Sequence, residues 1–294
     1  MAAIIGATVL LGIATPVLKI LLSRIAPVLL VGLLSVGTIA GILCWLIARH
    51  PDFAGASLRN IPGGERFLLA GTVIIGGLLA PVVQFVSLAV TPSATASLLL
   101  NFEVVSTVLI ACQIFRETIS RRTGAALIAI FAGSVLLSWN GGGAFDFSIG
   151  AAGVLLACFF WGIDNNCIGR IYSLPPEIIV VIRAMCGGAG AFILAYLFHE
   201  PFPGWGFIAL ALGTGFFSFG IGIVLFIRAL QGMGAARAGA VYAAAPFIGC
   251  IVSLLLFADP LSGQFWIAIP LFVAGALVII REQWVRQGSY GGNS

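Results

Sequence analysis

Long apolar segments separated by short polar or Pro/Gly-rich breaks fill almost the whole chain. Ten such segments can be delimited, at approximately 3–22, 27–48, 66–88, 94–115, 122–139, 149–171, 177–198, 206–230, 236–257 and 263–281. Most are close to the roughly 20 residues that an α-helix needs to cross a bilayer. The pattern therefore predicts an all-α integral membrane protein with ten transmembrane helices, and the short breaks predict that sequence neighbours are antiparallel.

The composition agrees with this prediction. Of the 294 residues, 61% are hydrophobic and 8% are charged, whereas a soluble domain has about 25% charged residues. The net charge of +4 then reflects membrane topology, and nucleic acid is not an expected partner. The six cysteines lie in or beside apolar segments without metal-like spacing, so no metal or other cofactor is expected.

The basic residues predict the orientation of the helices. If both termini are cytoplasmic, eleven arginines fall at inner helix ends or in inner loops, and only Lys19 and Arg24 fall on the outer side. The remaining cation, Arg183, lies within an apolar segment. This bias follows the positive-inside rule and predicts a multi-pass protein of the cytoplasmic (inner) membrane.

The second half of the chain repeats the first in a weak form. A shift of 142 residues places Thr72 on Thr214, and a shift of 150 places Gly12 on Gly162 among the earlier helices. The predicted copies are 1–140 and 141–294, each with five helices. An odd number of helices forces the second copy to enter the membrane upside down. Such inverted repeats are typical of secondary transporters whose site lies near the bilayer midplane.

Two corresponding stretches, NFEVVSTVLIACQIFRETIS and PFIGCIVSLLLFADPLS, carry a resemblance to a known family. Each stretch contains a residue that is unusual in an apolar helix, and an acidic residue follows it about thirteen positions later. Glu103 is followed by Glu117, and Pro246 by Asp259. With five plus five helices and short loops, the chain resembles the EamA-type transporters of the drug/metabolite transporter superfamily. Val104 departs from the pattern, because the family often has proline there.

The resemblance implies a secondary transporter, an exporter that moves a small organic metabolite by alternating access around a central cavity. Amino acids are the expected substrates, aromatic ones among them, and protons are a candidate coupling ion. Drugs or metabolites such as phosphorylated sugars are the alternative cargo. A non-transporting scaffold and a membrane enzyme are the competing classes. An enzyme is not expected, since both histidines lie at segment ends. The oligomeric state is left open.

Glu103 lies near the middle of the fourth apolar segment. A carboxylate at that depth costs roughly 2.5 kcal/mol or more on insertion scales, which suggests that it has a use. Ser106 and Thr107 lie one helical turn further on the same face. We expect Glu103 to pair with a substrate ammonium group or to carry a proton. The alternative is a protonated side chain that only bonds a neighbouring helix.

Asp164 and Arg183 lie in adjacent segments, each about two turns from the connecting turn, and so at similar depth. An ion pair between them would be structural, or would bind a substrate carboxylate or act as a gate. Asn165 extends this polar patch, and intramembrane polar residues of this kind are rarely lipid-facing.

Prolines mark two further candidates. Gln84 lies one turn after Pro81, and Tyr242 one turn before Pro246. A proline frees a carbonyl group, which is tolerated only beside protein or water, so both sites are cavity walls or packing contacts. Trp161 matches a Trp-Gly pair frequent in the family, although such aromatics are commonly lipid-facing or core residues. The candidate substrate-binding residues are Gln84, Glu103, Thr107, Trp161, Asp164, Asn165 and Tyr242.

The predicted topology can be tested by labelling. In a variant without native cysteines, a single cysteine at Gly142 should react with a membrane-impermeant maleimide in intact cells, because the loop between the two copies must be outside. A cysteine at Arg122 serves as the inner control and should react only after the cells are opened. Labelling that places Gly142 in the cytoplasm would contradict the ten-helix arrangement.

Overall fold

A computed structural model describes residues 2–49, 61–116, 119–139, 148–233, 241–257 and 261–288. We number the helical runs of these residues in chain order as α1 (Ala2–Leu22), α2 (Pro27–Arg49), α3 (Gly63–Val90), α4 (93–115), α5 (Arg121–Ser138), α6 (Ile149–Ile168), α7 (Pro176–Leu197), α8 (205–233), α9 (Ala245–Leu256) and α10 (Gly263–Gly288). No strand occurs among them.

Eight of these helices, α1 to α8, are long and apolar enough to cross a bilayer. Helix α9 and the apolar part of α10, Gly263–Ile279, are shorter. The prediction of an all-α membrane protein is confirmed, and most predicted segment ends lie within one helical turn of a helix end. The ten-crossing topology and the repeat remain predictions. The loop at 140–147 and the predicted start of the ninth segment, 234–240, lie outside the described residues.

Two helices change their hydrogen-bond register midway. Helix α3 is π-helical over Thr72–Leu79, and α8 over Gly215–Gly222. The π-segment of α3 ends just before Pro81, which has no N–H to donate and whose ring clashes with the carbonyl four residues back in a regular helix. A wider turn relieves that clash. Short π-helical segments inside α-helices are frequent at functional sites.

Helix α4 is broken at Leu100 and Asn101, between Ser93–Leu99 and Phe102–Phe115. The Asn101 side-chain Nδ2 donates to the carbonyl of Leu98 at 2.9 Å, so it satisfies a backbone acceptor at the break. Glu103 was expected in an uninterrupted helix. It lies instead in the first turn after the break, where the partial positive charge of a helix N-terminus favours a carboxylate.

The interruptions recur at corresponding places in the two halves. Under the shift of 142 residues, the π-segments of α3 and α8 differ by one position. The break in α4 corresponds, again within one position, to the turn at Ala243 and Ala244 that precedes α9. Such agreement is expected if the two halves share one backbone design.

Glycines bring the helices around the centre close together. A Cβ atom on Gly162 of α6 would lie 2.7 Å from the Ser106 Cβ in α4. At the corresponding Gly12 of α1, a Cβ would lie 2.7 Å from the backbone oxygen of Ala245 in α9. Helix α6 therefore packs on α4, and α1 on α9. Helices α5 and α10 pack chiefly against each other.

Charged side chains satisfy two of the helix ends. Lys19 Nζ donates to the carbonyls of Leu88 at 2.7 Å, Ala89 at 3.0 Å and Thr91 at 2.7 Å, at the C-terminus of α3. The Glu200 carboxylate accepts from the backbone N–H of Leu29 at 2.6 Å, in the first turn of α2. Both contacts pair a full charge with the helix end of opposite partial charge.

We predict that Gly187→Ala lowers the stability of the protein. The added Cβ would lie 2.1 Å from the Gly77 backbone oxygen, so α7 and α3 must separate. Overpacking of this kind costs about 1–3 kcal/mol. Gly213→Ala in α8 is the matched control, because no atom of the described residues lies within 4 Å of its Cβ position. Thermal unfolding of both variants in detergent checks this, and equal midpoints would contradict the close packing of α3 and α7.

Candidate functional site

A central cavity of about 100 Å³ lies among α1, α3, α4, α6, α7, α8 and the residues around the start of α9. The structure brings nearly all of the candidate side chains to it. Its lining includes Gln84, Glu103, Trp161, Asp164, Asn165, Arg183 and Tyr242. Thr107 is not part of the lining but lies directly behind it, 3.4 Å from the side-chain nitrogen of Asn165.

Glu103 is held in place by α6. Its Oε1 accepts a hydrogen bond from Asn165 Nδ2 at 2.7 Å. Its backbone oxygen accepts from the Thr107 hydroxyl at 2.8 Å, which fixes the first turn after the break. In the part of the chain that the structure describes, the Glu103 carboxylate forms no ion pair. A carboxylate has about four acceptor positions, so further donors can bind it.

A polar contact between α4 and α6 extends behind Glu103. Asn166 Nδ2 donates to the Thr107 backbone oxygen at 2.9 Å and to the Gly162 backbone oxygen at 2.9 Å. With the bond between Asn165 and Glu103, these contacts tie α4 to α6. We call this set, Glu103, Thr107, Gly162, Asn165 and Asn166, the polar seam.

Asp164 forms a buried ion pair with Arg183. Its Oδ2 accepts from the Arg183 guanidinium at 2.8 Å, and the two residues are 2% and 5% exposed. Its Oδ1 accepts from the hydroxyl of Thr72, the first residue of the π-segment in α3. A Cβ on Gly76 would lie 2.2 Å from the Asp164 carboxylate, so α3 passes directly over the pair.

Trp161 connects the ion pair to α3. The Arg183 guanidinium carbon lies 6.0 Å from the centre of a Trp161 ring, within cation–π range. The indole Nε1 donates to Gln84 Oε1 at 2.9 Å. Among the residues that the structure describes, none accepts a hydrogen bond from the Nε of Arg183. One continuous polar network thus runs from Gln84 through Trp161, Arg183 and Asp164 to Thr72.

Tyr242 closes the cavity on the side of α9. Its ring centre lies 4.6 Å from that of Phe226 in α8, and Pro246 lines the cavity beside it. Both positions that the prolines marked, Gln84 and Tyr242, are therefore cavity walls.

The sequence analysis missed two residues that shape the site. Thr72 completes the ion-pair network, and Asn101 stands at the break that positions Glu103. The repeat gave a signal for Thr72, since it falls on Thr214. Asn101 gave a weaker one, as the only strongly polar side chain in its apolar run before Glu103.

Part of the lining occupies matched positions in the two halves. In α1 and α6 the shift of 150 residues matches four lining residues of one helix to four of the other, and the shift of 142 matches three of α4 to three around the start of α9. The matched sets are Leu11, Ala14, Thr15 and Leu18 with Trp161, Asp164, Asn165 and Ile168, and Leu100, Glu103 and Val104 with Tyr242, Ala245 and Pro246. The chemistry is unequal, because the charged members all lie on α4 and α6.

The arrangement can bind groups of either charge. Glu103 and Asp164 are acids and Arg183 is a base, so the cavity has one more acid than base. Asp164 is already paired, which leaves Glu103 to meet a cation. Among the described residues, no group of three or more His, Cys, Asp or Glu side chains is placed to hold a metal ion.

An apolar helical bundle with charged groups in a central cavity is the architecture of a membrane transport protein. The sequence model of the EamA-like transporter family matches residues 1–139 and 148–281. The chain belongs to this family.

Known proteins agree with this assignment. The chain is 27% identical, over 94% of its length and 84% of the relative's, to a protein of Methanothermobacter thermautotrophicus described as an uncharacterized transporter. It is 24% identical, over 59% of its length and 52% of the relative's, to an uncharacterized transporter of Synechocystis. A solved crystal structure matches with a TM-score of 0.62 at 22% identity, over 94% of this chain and 95% of that one. At this identity the likeness shows the fold alone.

We predict strong coupling between Asp164 and Arg183. Asp164→Asn or Arg183→Met alone leaves one buried charge without its partner, which costs about 3–5 kcal/mol. The double variant removes both charges and should lose much less than the sum. Unfolding midpoints of the four proteins in detergent give the interaction term of a double-mutant cycle. Losses that simply add would show that the two side chains act independently.

Proposed function

We propose that this transporter exports amino acids across the cytoplasmic membrane by alternating access around the central cavity. The observation that carries the proposal is Glu103, a carboxylate that lines the cavity and has no ion-pair partner among the described residues. Family membership supports transport, and the substrate class is our inference from the cavity. Drugs and phosphorylated sugars remain the alternative cargo.

An ammonium group is the natural complement of Glu103. Two unit charges 4 Å apart attract by about 4 kcal/mol at the effective dielectric constant of about 20 that suits protein sites. Asn165 orients the carboxylate through its bond of 2.7 Å to Oε1, and no other side chain among the described residues donates to the remaining oxygen. A primary ammonium, with three donors, fits such a site.

The repeat supports the alternating-access part of the proposal. We infer ten crossings in two inverted five-helix copies, 1–140 and 141–294, with both termini cytoplasmic. The matched cavity linings, the paired π-segments and the paired breaks all fit this arrangement. Exchanging the conformations of two similar halves opens a central site to each side in turn.

Proton carriage is the second role that we consider for Glu103. The groups that share its cavity are Asp164 and Arg183, which neutralise each other, and Tyr242. A neutral or anionic substrate would have no ammonium group to pair with Glu103. A proton would then neutralise the Glu103 carboxylate. If Glu103 binds the substrate, its carboxylate is needed for substrate exchange. If it carries a proton, the carboxylate is needed only for gradient-driven accumulation.

We predict that Glu103→Gln leaves the unfolding midpoint nearly unchanged and lowers transport by roughly 10–100-fold, the value of one charged hydrogen bond. Glutamine keeps the shape and still accepts from Asn165. Uptake of labelled amino acids into proteoliposomes, with and without a pH gradient, measures the effect. Glu65→Gln is the control, because that carboxylate lies outside the cavity and bonds Ser173.

The same measurement separates the two roles. If Glu103 binds the substrate, Glu103→Gln loses both amino-acid exchange and gradient-driven accumulation. If it carries the proton, exchange persists and only accumulation is lost. If Glu103→Gln transports at the wild-type rate both with and without a pH gradient, Glu103 is only a structural hydrogen-bonding group. The proposed site would then be abandoned.

A further inference from the structure

A second cavity of about 60 Å³ lies beside the central one, among α2, α3, α7 and α8. The two cavities share four lining residues, which form the partition between them: Trp161, Arg183, Phe219 and Ile223. The rest of the second cavity is lined mainly by apolar side chains such as Val31, Leu34, Pro81, Phe85 and Val180. A group entering from the central cavity must pass this partition.

The few polar side chains of the second cavity are already used. The Ser35 hydroxyl donates to the Val31 backbone oxygen at 2.8 Å, and the Thr38 hydroxyl donates to the Gly215 backbone oxygen at 2.8 Å. Apart from Arg183, the surface therefore offers little to a polar ligand. It is suited to an apolar group.

Arg183 stands at the partition with donor capacity to spare. A guanidinium has five N–H donors in a planar fork. Its bond to Asp164 leaves Nε without a partner in the described part of the chain, although the residue is only 5% exposed. A buried donor without an acceptor is costly, so a ligand acceptor would be favoured there. A carboxylate matches the fork in shape and charge.

We propose that Arg183 binds the carboxylate of the transported amino acid and that the second cavity receives its side chain, a branched aliphatic group. The inference rests on the proposed function, in which Glu103 holds the ammonium group. The three groups of an amino acid diverge from one carbon atom. The central cavity offers an acid, Glu103, and a base, Arg183, and the second cavity adjoins it at Arg183.

The size of the second cavity bears on the side chain that it can receive. An engineered cavity of about 150 Å³ is known to bind benzene, and the second cavity has less than half that volume, about 60 Å³. A small volume favours an aliphatic side chain over the larger phenyl or indole ring. We therefore expect leucine-like substrates to be preferred to the aromatic ones that the family resemblance implies.

Wild-type specificity is the first test, and it needs no variant. In proteoliposomes, the kcat/KM for labelled L-leucine should exceed that for L-alanine by about tenfold or more, since each methylene in a fitted pocket contributes about 10-fold or more. It should also exceed that for L-phenylalanine. A preference for phenylalanine or for alanine would overturn the side-chain assignment.

Filling the second cavity is the second test. Ala184 lines it and does not line the central cavity. Ala184→Leu should lower kcat/KM for leucine by about tenfold, the usual scale of an overpacking penalty, and that for alanine by less than about threefold. Ala189→Leu is the matched control on an exposed face of α7 and should change neither. Equal losses for leucine and alanine would overturn the assignment.

The carboxylate contact has its own test. The probe 3-methylbutylamine has the ammonium group and side chain of leucine but no carboxylate. The wild type should prefer leucine to this amine by roughly 10–100-fold, as expected for a charged hydrogen bond. The double variant Asp164→Asn/Arg183→Met strands no charge and should lose that preference. If the double variant keeps it, Arg183 is not the carboxylate partner.

The outcomes also separate this inference from the function beneath it. If the wild type transports leucine, alanine and the amine equally well, the inference is wrong and amino-acid transport stands. If it transports none of the amino acids, the proposed function is wrong, and the inference falls with it.

Discussion

The buried ion pair between Asp164 and Arg183 is the interaction on which the centre of this structure depends. Removing two charges from water is expensive, and their attraction repays the cost only with good geometry and additional hydrogen bonds. Here both oxygens of Asp164 are used, one by Arg183 and the other by Thr72. The pair thereby links α6, α7 and α3, and α3 needs Gly76 to pass over the carboxylate.

The position of Asp164 on α6 determines where the other site residues of that helix lie. Trp161 lies one turn before Asp164, and Asn165 follows it directly, so fixing Asp164 also fixes these two side chains. Trp161 then meets Gln84, and Asn165 meets Glu103. A single helix thus presents an aromatic ring, an acid and an amide to the cavity, and together the three bond α3, α7 and α4.

The sequence was sufficient for most of the helices and for picking out the charged residues that line the cavity. Apolar runs report bilayer crossing by length alone, and Glu103, Asp164 and Arg183 stood out because charges are rare in such runs. It was insufficient for the break at Asn101 and the π-segments. An apolar run looks the same whichever carbonyl each N–H bonds, so hydrogen-bond register leaves no trace in hydropathy.

Features that depend on contacts between two distant segments could not be predicted from the sequence either. Beside the second cavity, which Gly77 lines, Gly187 lets α7 approach α3 closely, and no local pattern shows which partner a glycine will contact. The role of Thr72 needed the position of Asp164, 92 residues further along the chain. The match between the two halves of the sequence gave only a weak signal for Gly187 and for Thr72.

The two halves place equivalent backbone positions around the cavity, but their side chains differ. Glu103 corresponds to Ala245, and Asp164 to Ala14, so each acid faces a cavity whose other half offers a methyl group. In the function that we propose, this difference between matched positions would hold the substrate in one orientation. A transporter of this kind has two requirements. Similar backbones in the two halves allow the halves to exchange conformations, and different side chains allow the cavity to recognise a substrate.

The polar seam indicates where the conformational change is easiest. Separating α4 from α6 would break the hydrogen bonds from Asn165 and Asn166 in apolar surroundings, where unpaired polar groups are costly. The equivalent contact between α1 and α9 at Gly12 and Ile248 is mainly steric, and apolar surfaces slide without losing hydrogen bonds. The side of the cavity with the charged groups is thus the more rigid side. In the transport cycle that we propose, movement around this wall keeps Glu103 and Asn165 in register with the substrate.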